Sequence, residues 1–351
     1  MVSNLSFTGN PELDKARMIE KILAFPFQIR KATEIAEESF QRINFSFQQV
    51  KNIVFVGMGG SGIAGEIIRN YLSKELRIPV FTNQDYTLPK FVGAETLFFI
   101  NSYSGNTEET LTVYESIRHS GFKIIAISAN GSLKEKAKED KIPFISIPQG
   151  MPPRTALGYS FFIPLCILYR CGLITEKEGE IKETIEVLQR IKERFEREKE
   201  NVAERTARLL RNRLPVIYSS ADFSGVAIRL KQQLAENSKT LSIVNFLPEM
   251  NHNEIVGWQF PSLLKEFVVL FLRDREENER IVRRFEITKE LIGKETERIV
   301  ELYSEGEGLL ARIFSLIYIG DFISYYLALL NGVDPTPVEK IDYLKAKLKE
   351  A

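Results

Sequence analysis

Short apolar runs alternate with longer stretches of helical apolar spacing between residue 51 and about residue 148. The apolar runs are NIVFVG, PVFTN, TLFFINS, KIIAISA and PFISIP. The stretches between them include IAGEIIRNYLSKEL, EETLTVYESIRHSG and SLKEKAKEDK. Strands separated by helices of about 10 to 15 residues imply a parallel sheet covered on both faces. The pattern therefore predicts a doubly wound α/β domain.

The same rhythm restarts after a charged stretch from residue 176 to residue 213. We interpret that stretch as connecting helices with solvated faces, rather than as a partner-binding tail. LPVIYSSADFSGVAIRL then repeats the order strand, small-residue turn, helix of VFVGMGGSGIAGEII. Strands follow at TLSIVNF and EFVVLFLRD, with helices beyond about residue 277. The predicted organisation is an N-terminal subdomain over 1–172, a helical linker over 173–213, and a C-terminal subdomain over 214–351.

Composition and charge narrow the classes of partner. The 351 residues include 47 Lys plus Arg and 47 Asp plus Glu, so no net charge attracts nucleic acid or an anionic membrane. Two apolar segments are interrupted, the first by Pro164 and Arg170 and the second by Arg312 and Asp321. We therefore expect buried helices, and neither a membrane span nor a nucleic-acid partner.

The cysteines and histidines indicate the cellular compartment and whether a metal site is to be expected. Cys166 and Cys171 lie in an apolar run and are expected to be core thiols, which suits a cytoplasmic protein without a visible secretory signal. The two histidines, His119 and His252, are far apart in the chain. A zinc site needs a cluster of such ligands, so no metal is expected. His119 is expected at the surface.

A glycine-rich turn follows the first strand. Gly57, Gly59 and Gly62 fit the G-x-G-x-x-G pattern of dinucleotide-binding folds. Such a fold needs an acidic residue at the end of the second strand to bind the ribose. That strand ends in neutral residues, and Asp85 lies slightly beyond it. The turn therefore leaves NAD and another phosphate as alternatives.

A second hydroxyl-rich turn, INSYSGNTEETL, ends another strand and opens a helix. Hydroxyl groups and free backbone N–H groups at a helix N-terminus suit a phosphate monoester, which a dinucleotide site would not need. The alternative is that these side chains only cap the helix. Both turns leave the carboxyl edge of one sheet, so we expect them to converge on one phosphate. The candidate phosphate-binding residues are Gly59, Gly60, Ser61, Ser102, Ser104 and Thr107.

Several segments together carry a family resemblance. SYSGNTEET resembles the phosphate loop of the sugar isomerase (SIS) domain. With it, GMGGSGIAGE, PRTALGYSF, LAENSK, NHNEIVGW and DPTPVEKIDYLK occur in the order typical of bifunctional phosphoglucose/phosphomannose isomerases. The resemblance covers essentially the whole chain. It implies two doubly wound SIS subdomains with C-terminal helices, and interconversion of glucose 6-phosphate or mannose 6-phosphate with fructose 6-phosphate, without a cofactor.

Such an aldose–ketose isomerisation needs a carboxylate base and a cation near the developing oxyanion. The resemblance implies that Glu236 is the base, although by itself it is typical of a surface helix residue. Arg154 follows two prolines and is the candidate cation, with a structural salt bridge as the alternative.

Ring opening needs its own acid–base pair. The resemblance places the ring-opening histidine at His252, reaching the site from a neighbouring subunit, so a homodimer with shared active sites is expected. Its polar neighbours Asn251, Asn253 and Glu254 are expected to fix its tautomer, whereas a lone histidine is often only structural.

The C-terminal motif supplies the remaining candidates. The resemblance places a ring-opening lysine at Lys345, with Lys340 as the alternative, and Thr336 near the C2 carbon of the sugar. Two other functions stay open at this point. One is a non-catalytic SIS sensor of sugar phosphates, which gives no reason for these residues to occur together. The other is an NAD-dependent oxidoreductase, for which Asp85 would have to bind the ribose.

Overall fold

The computed structural model describes residues 10–350 and contains two parallel sheets. The first has the strand order β2-β1-β3-β4-β5 and the second has the order β7-β6-β8-β9. The strands of the first sheet are β1 (Asn52–Val56), β2 (Val80–Asn83), β3 (Thr96–Asn101), β4 (Lys123–Ser128) and β5 (Phe144–Ser146). Those of the second sheet are β6 (Leu214–Ser220), β7 (Ile243–Leu247), β8 (Phe267–Arg273) and β9 (Ile299–Tyr303).

Helices flank both sheets, which confirms the predicted α/β architecture. Those before and around the first sheet are α1 (Met18–Leu23), α2 (Phe25–Phe40), α3 (Gly59–Tyr71), α4 (Glu108–Ile117), α5 (Ser132–Glu139) and α6 (Leu157–Arg170). The others are α7 (Glu178–Arg197), α8 (Val202–Leu210), α9 (Ser224–Ser238), α10 (Pro261–Leu264), α11 (Glu279–Gly293), α12 (Leu309–Leu330) and α13 (Glu339–Glu350). Short 3-10 turns lie at Pro11–Leu13, Pro153–Thr155, Ala221–Phe223, Glu249–His252 and Glu254–Gly257.

The central strands of the first sheet are apolar throughout because helices cover both of their faces. Every residue of β3 is buried. In the parallel register of β1 and β3, Phe55 lies opposite Phe99, and their rings stack with centroids 5.0 Å apart. The strands β1 and β3 are neighbours although β2 lies between them in sequence, so the strand order reverses here. Ligands bind open α/β sheets at such a point, beyond the carboxyl ends of the strands.

The helix α12 joins the two halves into one core. It packs against α7, α8 and α9, and residues 310–329 are all buried. By length and composition this helix could cross a membrane, but 94% of its most apolar window is buried inside the protein. The other apolar segment, α6, is likewise buried and packs against α2. Both segments are therefore core helices, as predicted.

Two details differ from or refine the sequence analysis. The strand β9 lies where only helices were expected. Four of its five residues, IVELY, are apolar, but the run is short, contains Glu301 and follows charged residues that are typical of the neighbouring helix. The charged helices α7 and α8 do expose polar faces, but each also buries an apolar face against α12.

The two cysteines are free thiols. Cys166 is buried in α6, and burial raises the pKa of its thiol to about 12. A thiol with so high a pKa carries little of the reactive thiolate. Cys166 is therefore a core packing group, as the sequence predicted, whereas Cys171 at the end of α6 is only partly buried.

Candidate active site

The glycine turn after β1 brings two backbone segments into contact. A Cβ atom at Gly62 would lie 2.3 Å from the carbonyl oxygen of Gly57, so the turn closes only without a side chain there. A Cβ atom at Gly60 would lie 2.8 Å from the Cα atom of Arg154. Gly59 has a φ of +49°, in the left-handed region that glycine adopts most easily. Gly62 thus lets the turn close, and Gly60, which is not one of the three pattern glycines, allows the close approach to the 3-10 turn that carries Arg154.

The hydroxyl-rich turn after β3 lies beside the glycine turn. The backbone N–H of Tyr103 donates to Ser61 Oγ over 3.1 Å, and the Asn101 amide donates to the Ser61 carbonyl over 3.1 Å. Ser61 is buried between the two turns. The expectation that the two turns meet at one edge of the sheet is therefore confirmed.

The hydroxyl groups of the second turn are not used as helix caps. Thr107 occupies the N-cap position of α4 but makes no side-chain cap hydrogen bond, and its Oγ1 lies 2.9 Å from Ser102 Oγ instead. Ser102 is buried and also accepts from the N–H of Gly105, whereas Ser104 is exposed. This arrangement argues against the capping alternative and leaves a cluster of hydroxyl groups at a helix N-terminus.

Asp85 is poorly placed to bind a ribose. Its Oδ1 accepts the backbone N–H of Tyr86 over 2.6 Å, and its carbonyl accepts the amide of Asn83. The side chain that lies against the glycine turn is the neutral Gln84, whose Nε2 would be 3.0 Å from a Cβ atom at Gly62. A neutral side chain, and not the acidic group that a dinucleotide site requires, thus faces the glycine turn from the end of β2.

Arg154 is the centre of a buried hydrogen-bond network. Its side chain is 3% exposed, and burial lowers its pKa while the charge of Glu236 opposes that shift. Its Nε donates to Asn237 Oδ1 over 2.6 Å and its Nη1 to Glu236 Oε2 over 3.2 Å. Its Nη2 donates to the carbonyls of Pro335 and Thr336, over 2.7 Å and 2.9 Å. Four of the five N–H donors are thereby used, and one on Nη1 remains.

Glu236 lies near the C-terminal end of α9 with its side chain 23% exposed. The helix ends at Lys239, which adopts a left-handed conformation with φ of 58°. Asn237 is buried, and its Nδ2 donates to Ser324 Oγ of α12 over 2.9 Å. Asn237 thus ties α9 both to α12 and to Arg154. A carboxylate open to solvent beside a buried cation is the pairing that enediolate chemistry requires.

The segment that precedes α13 closes one side of this pair. Besides the two carbonyls bound by Arg154, the Pro337 carbonyl accepts from Lys239 Nζ over 2.7 Å. Thr336 Oγ1 is buried without a hydrogen-bond partner among residues 10–350. The structure thus places Thr336 next to the Arg154–Glu236 pair. Asn237 and Lys239, which the sequence analysis did not name, lie in the same LAENSK segment as Glu236.

Both C-terminal lysines that are candidates for ring opening lie at the surface. Lys345 and Lys340 are exposed on α13, and Lys345 makes no hydrogen bond or ion pair with the part of the chain that is described. Three apolar side chains of the same helix, those of Ile341, Leu344 and Leu348, are also exposed. Within the described chain, therefore, no hydrogen bond or ion pair joins Lys345 to Glu236.

His252 is likewise exposed, at the end of the 3-10 turn after β7. The expectation that its neighbours fix its tautomer is wrong for the single chain, because they bond elsewhere. Asn251 donates to Thr288, and Glu254 accepts from Tyr218 and from Asn245. The imidazole makes no hydrogen bond or ion pair within residues 10–350 and is free to act elsewhere.

The second histidine, His119, lies at the surface. His119 is exposed and only accepts a hydrogen bond from Arg118 Nε over 3.1 Å, so it is the surface residue that the sequence predicted. Within the described residues, no group of three or more His, Cys, Asp or Glu side chains is placed to hold a metal ion.

Comparisons with known proteins agree with the fold. Residues 46–147 match the SIS domain, and residues 199–348 match the family described as the bacterial phospho-glucose isomerase C-terminal SIS domain. A hypothetical protein from Thermus thermophilus has the same fold, with a TM-score of 0.73 at 16% identity over 97% of this chain and 94% of that one. The two sheets thus define a protein with two SIS domains.

Two relatives identify the family within that class. The bifunctional phosphoglucose/phosphomannose isomerase of Caldicellulosiruptor bescii is 44% identical over 339 residues, which cover 95% of this chain and 99% of the relative. Its namesake from Aquifex aeolicus is 38% identical over 301 residues, covering 86% and 91%. The chain belongs to the bifunctional phosphoglucose/phosphomannose isomerase family.

Proposed function

We propose that this protein interconverts glucose 6-phosphate or mannose 6-phosphate with fructose 6-phosphate, by metal-independent proton transfer through a cis-enediolate. The observation that carries the proposal is the Arg154–Glu236 pair, which lies beside the glycine turn through the contact at Gly60. A candidate base and a cation thus lie next to the glycine turn, which belongs to the proposed phosphate-binding site.

The phosphate is bound where the two turns meet. The backbone N–H groups and hydroxyls there favour an anion because they lie at helix N-termini. Ser102 and Thr107 lie side by side with neither spent on capping, which supports a ligand-binding role for them. The residues that bind the phosphate are Gly59, Gly60, Ser61, Ser102, Ser104 and Thr107.

Glu236 transfers the proton between the two reacting carbons. Its carboxylate takes the proton from C2 of the open-chain aldose and returns it to C1, while a proton moves from O2 to O1. The remaining N–H of Arg154 donates to the oxygen that carries the negative charge in between. Its hydrogen bonds to Asn237, Pro335 and Thr336 hold this buried guanidinium in place before the charge develops.

Ring opening is assigned to His252 of a neighbouring subunit and to Lys345. Three features support a homodimer with shared active sites. His252 is exposed and free of partners within the described chain, Lys345 is similarly placed, and α13 exposes apolar side chains that a second subunit would cover. Thr336, next to the Arg154–Glu236 pair, is the residue that we place near C2, where the two hexose epimers differ.

Formation of fructose 6-phosphate from each hexose phosphate, with EDTA present, tests this function. We expect turnover of both substrates at rates that EDTA does not change. Loss of activity in EDTA that zinc restores would contradict the metal-independent route. Binding of the sugar phosphates without turnover would instead favour the second candidate, a non-catalytic sensor. A sensor gives no reason for Arg154 and Glu236 to be paired.

A further inference from the structure

A second arginine lies behind the proposed catalytic pair. Arg229 on α9 is 2% exposed, and its Nη2 donates to both carboxylate oxygens of Asp321 on α12, over 3.1 Å and 3.0 Å. Gln233, one helical turn along α9, donates to the same carboxylate over 2.7 Å. This buried ion pair lies between the longest core helix and the helix that carries Glu236.

The same Nη2 atom of Arg229 also holds Arg154. It donates to the Arg154 backbone carbonyl over 3.0 Å. Asn237, two turns farther along the same face of α9, accepts from the Arg154 side chain. The helix α9 therefore binds Arg154 through two hydrogen bonds, one to its backbone carbonyl and one from its guanidinium. Glu236 lies on the same helix, next to Asn237. All three contacts originate from one rigid element.

The buried Arg229–Asp321 ion pair is an unfavourable way to stabilise the fold. Two guanidinium groups lie close enough that the charge of Arg229 lowers the pKa of Arg154, in addition to the larger effect of burial. The Arg229 Nε atom is buried without a hydrogen-bond partner within residues 10–350. A buried ion pair is often no more stabilising than apolar residues of the same volume, so stability alone gives little reason for this one.

We propose that Arg229, held by Asp321, is a positioning residue that fixes Arg154 relative to Glu236. The inference rests on the proposed isomerase function. Its consequence is that Arg229 affects proton transfer although it lies behind Arg154, where it contacts the backbone of that residue and no substrate.

The principal test is Arg229→Lys. Lysine keeps the positive charge beside Asp321, but its single ammonium group on a shorter side chain cannot reach both the carboxylate and the Arg154 carbonyl. We expect kcat to fall by roughly 10- to 100-fold, because misplacement of a catalytic group by about 1 Å can cost that much. We expect KM to change by less than about threefold, since the phosphate turns are untouched.

Arg273→Lys is the matched control. Arg273 is a buried arginine whose side chain is 7% exposed, paired with Glu277 and Glu301 in the second sheet. None of its hydrogen bonds reaches Arg154 or α9. We expect Arg273→Lys to lower Tm about as much as Arg229→Lys does, with kcat unchanged.

Two further measurements separate positioning from loss of structure. The double variant Arg229→Met, Asp321→Asn removes both charges at similar volume, so it should keep a Tm near the wild-type value while kcat still falls at least about tenfold. Binding of a five-carbon sugar acid phosphate, whose carboxylate mimics the enediolate, should weaken by about the same factor as kcat in Arg229→Lys. Binding of sorbitol 6-phosphate, which is uncharged at those carbons, should not change.

The outcomes distinguish failure of the proposed isomerase function from failure of the positioning role of Arg229. A wild-type protein that isomerises neither hexose phosphate overturns the proposed function. An active wild type in which Arg229→Lys matches Arg273→Lys in kcat, or a double variant that is stable and fully active, overturns the positioning role alone.

Discussion

Glu236→Gln is the substitution that most directly tests the proposed chemistry. Glutamine has almost the same shape, and its amide oxygen can still accept from Arg154 Nη1, which lies 3.2 Å from the carboxylate. The change removes only the ability to take a proton from C2. General base catalysis usually contributes about 10² to 10⁴ in rate, so kcat should fall by that factor, which corresponds to roughly 2.7 to 5.4 kcal/mol in the activation barrier.

The fold and the binding of substrate should survive this change. The pair joins a buried guanidinium to a carboxylate that is 23% exposed, and a neutral hydrogen bond replaces the charged one. A loss of about 1 kcal/mol in the free energy of unfolding is expected, which corresponds to a decrease in Tm of less than about 4 °C. KM should stay within about threefold of wild type because the phosphate turns are unaltered.

The assay is coupled formation of glucose 6-phosphate from fructose 6-phosphate, with thermal unfolding measured on the same preparations. Glu286→Gln is the control, since Glu286 is a helix carboxylate paired with Arg283 at the surface over 3.0 Å. It should leave kcat unchanged. A Glu236→Gln enzyme that keeps more than about a tenth of wild-type kcat would refute the assignment of the base.

Two other predictions concern the phosphate turn and the shared site. Ser104→Ala or Thr107→Ala should mainly raise KM, because these hydroxyls bind the phosphate equally in the ground and transition states; a large fall in kcat at unchanged KM would instead put the turn at the reacting carbons. His252→Ala should be much less impaired on substrate that is already open-chain, as measured by rapid mixing with freshly opened sugar, whereas Glu236→Gln should stay slow on either form. Mixing the two inactive variants should restore one intact site per heterodimer, and no recovery after verified subunit exchange would mean that both residues act within one chain.

Local sequence patterns were sufficient to predict the two turns at the carboxyl edge of the first sheet. The glycine turn and the hydroxyl-rich turn each follow a buried strand, and parallel strands in one sheet necessarily bring such turns to the same edge. The contact between Ser61 and Tyr103 was predictable for that reason. In the second sheet, β9 was missed although four of its five residues are apolar, because so short a run, interrupted by Glu301 and preceded by charged residues, can equally belong to a helix.

The sequence alone determined the two α/β units and the buried character of α6 and α12, because these depend on periodicity. The segments that hold Arg154 and Glu236 were marked by the motifs that carry the family resemblance. Only the tertiary structure decided that Arg154 and Glu236, 82 residues apart, meet, and that Arg229 holds the backbone of Arg154 from behind. It also decided that His252 finds no partner in the described part of its own chain. Such contacts depend on how α9 and α12 pack, which is a property of the whole core and not of any one segment.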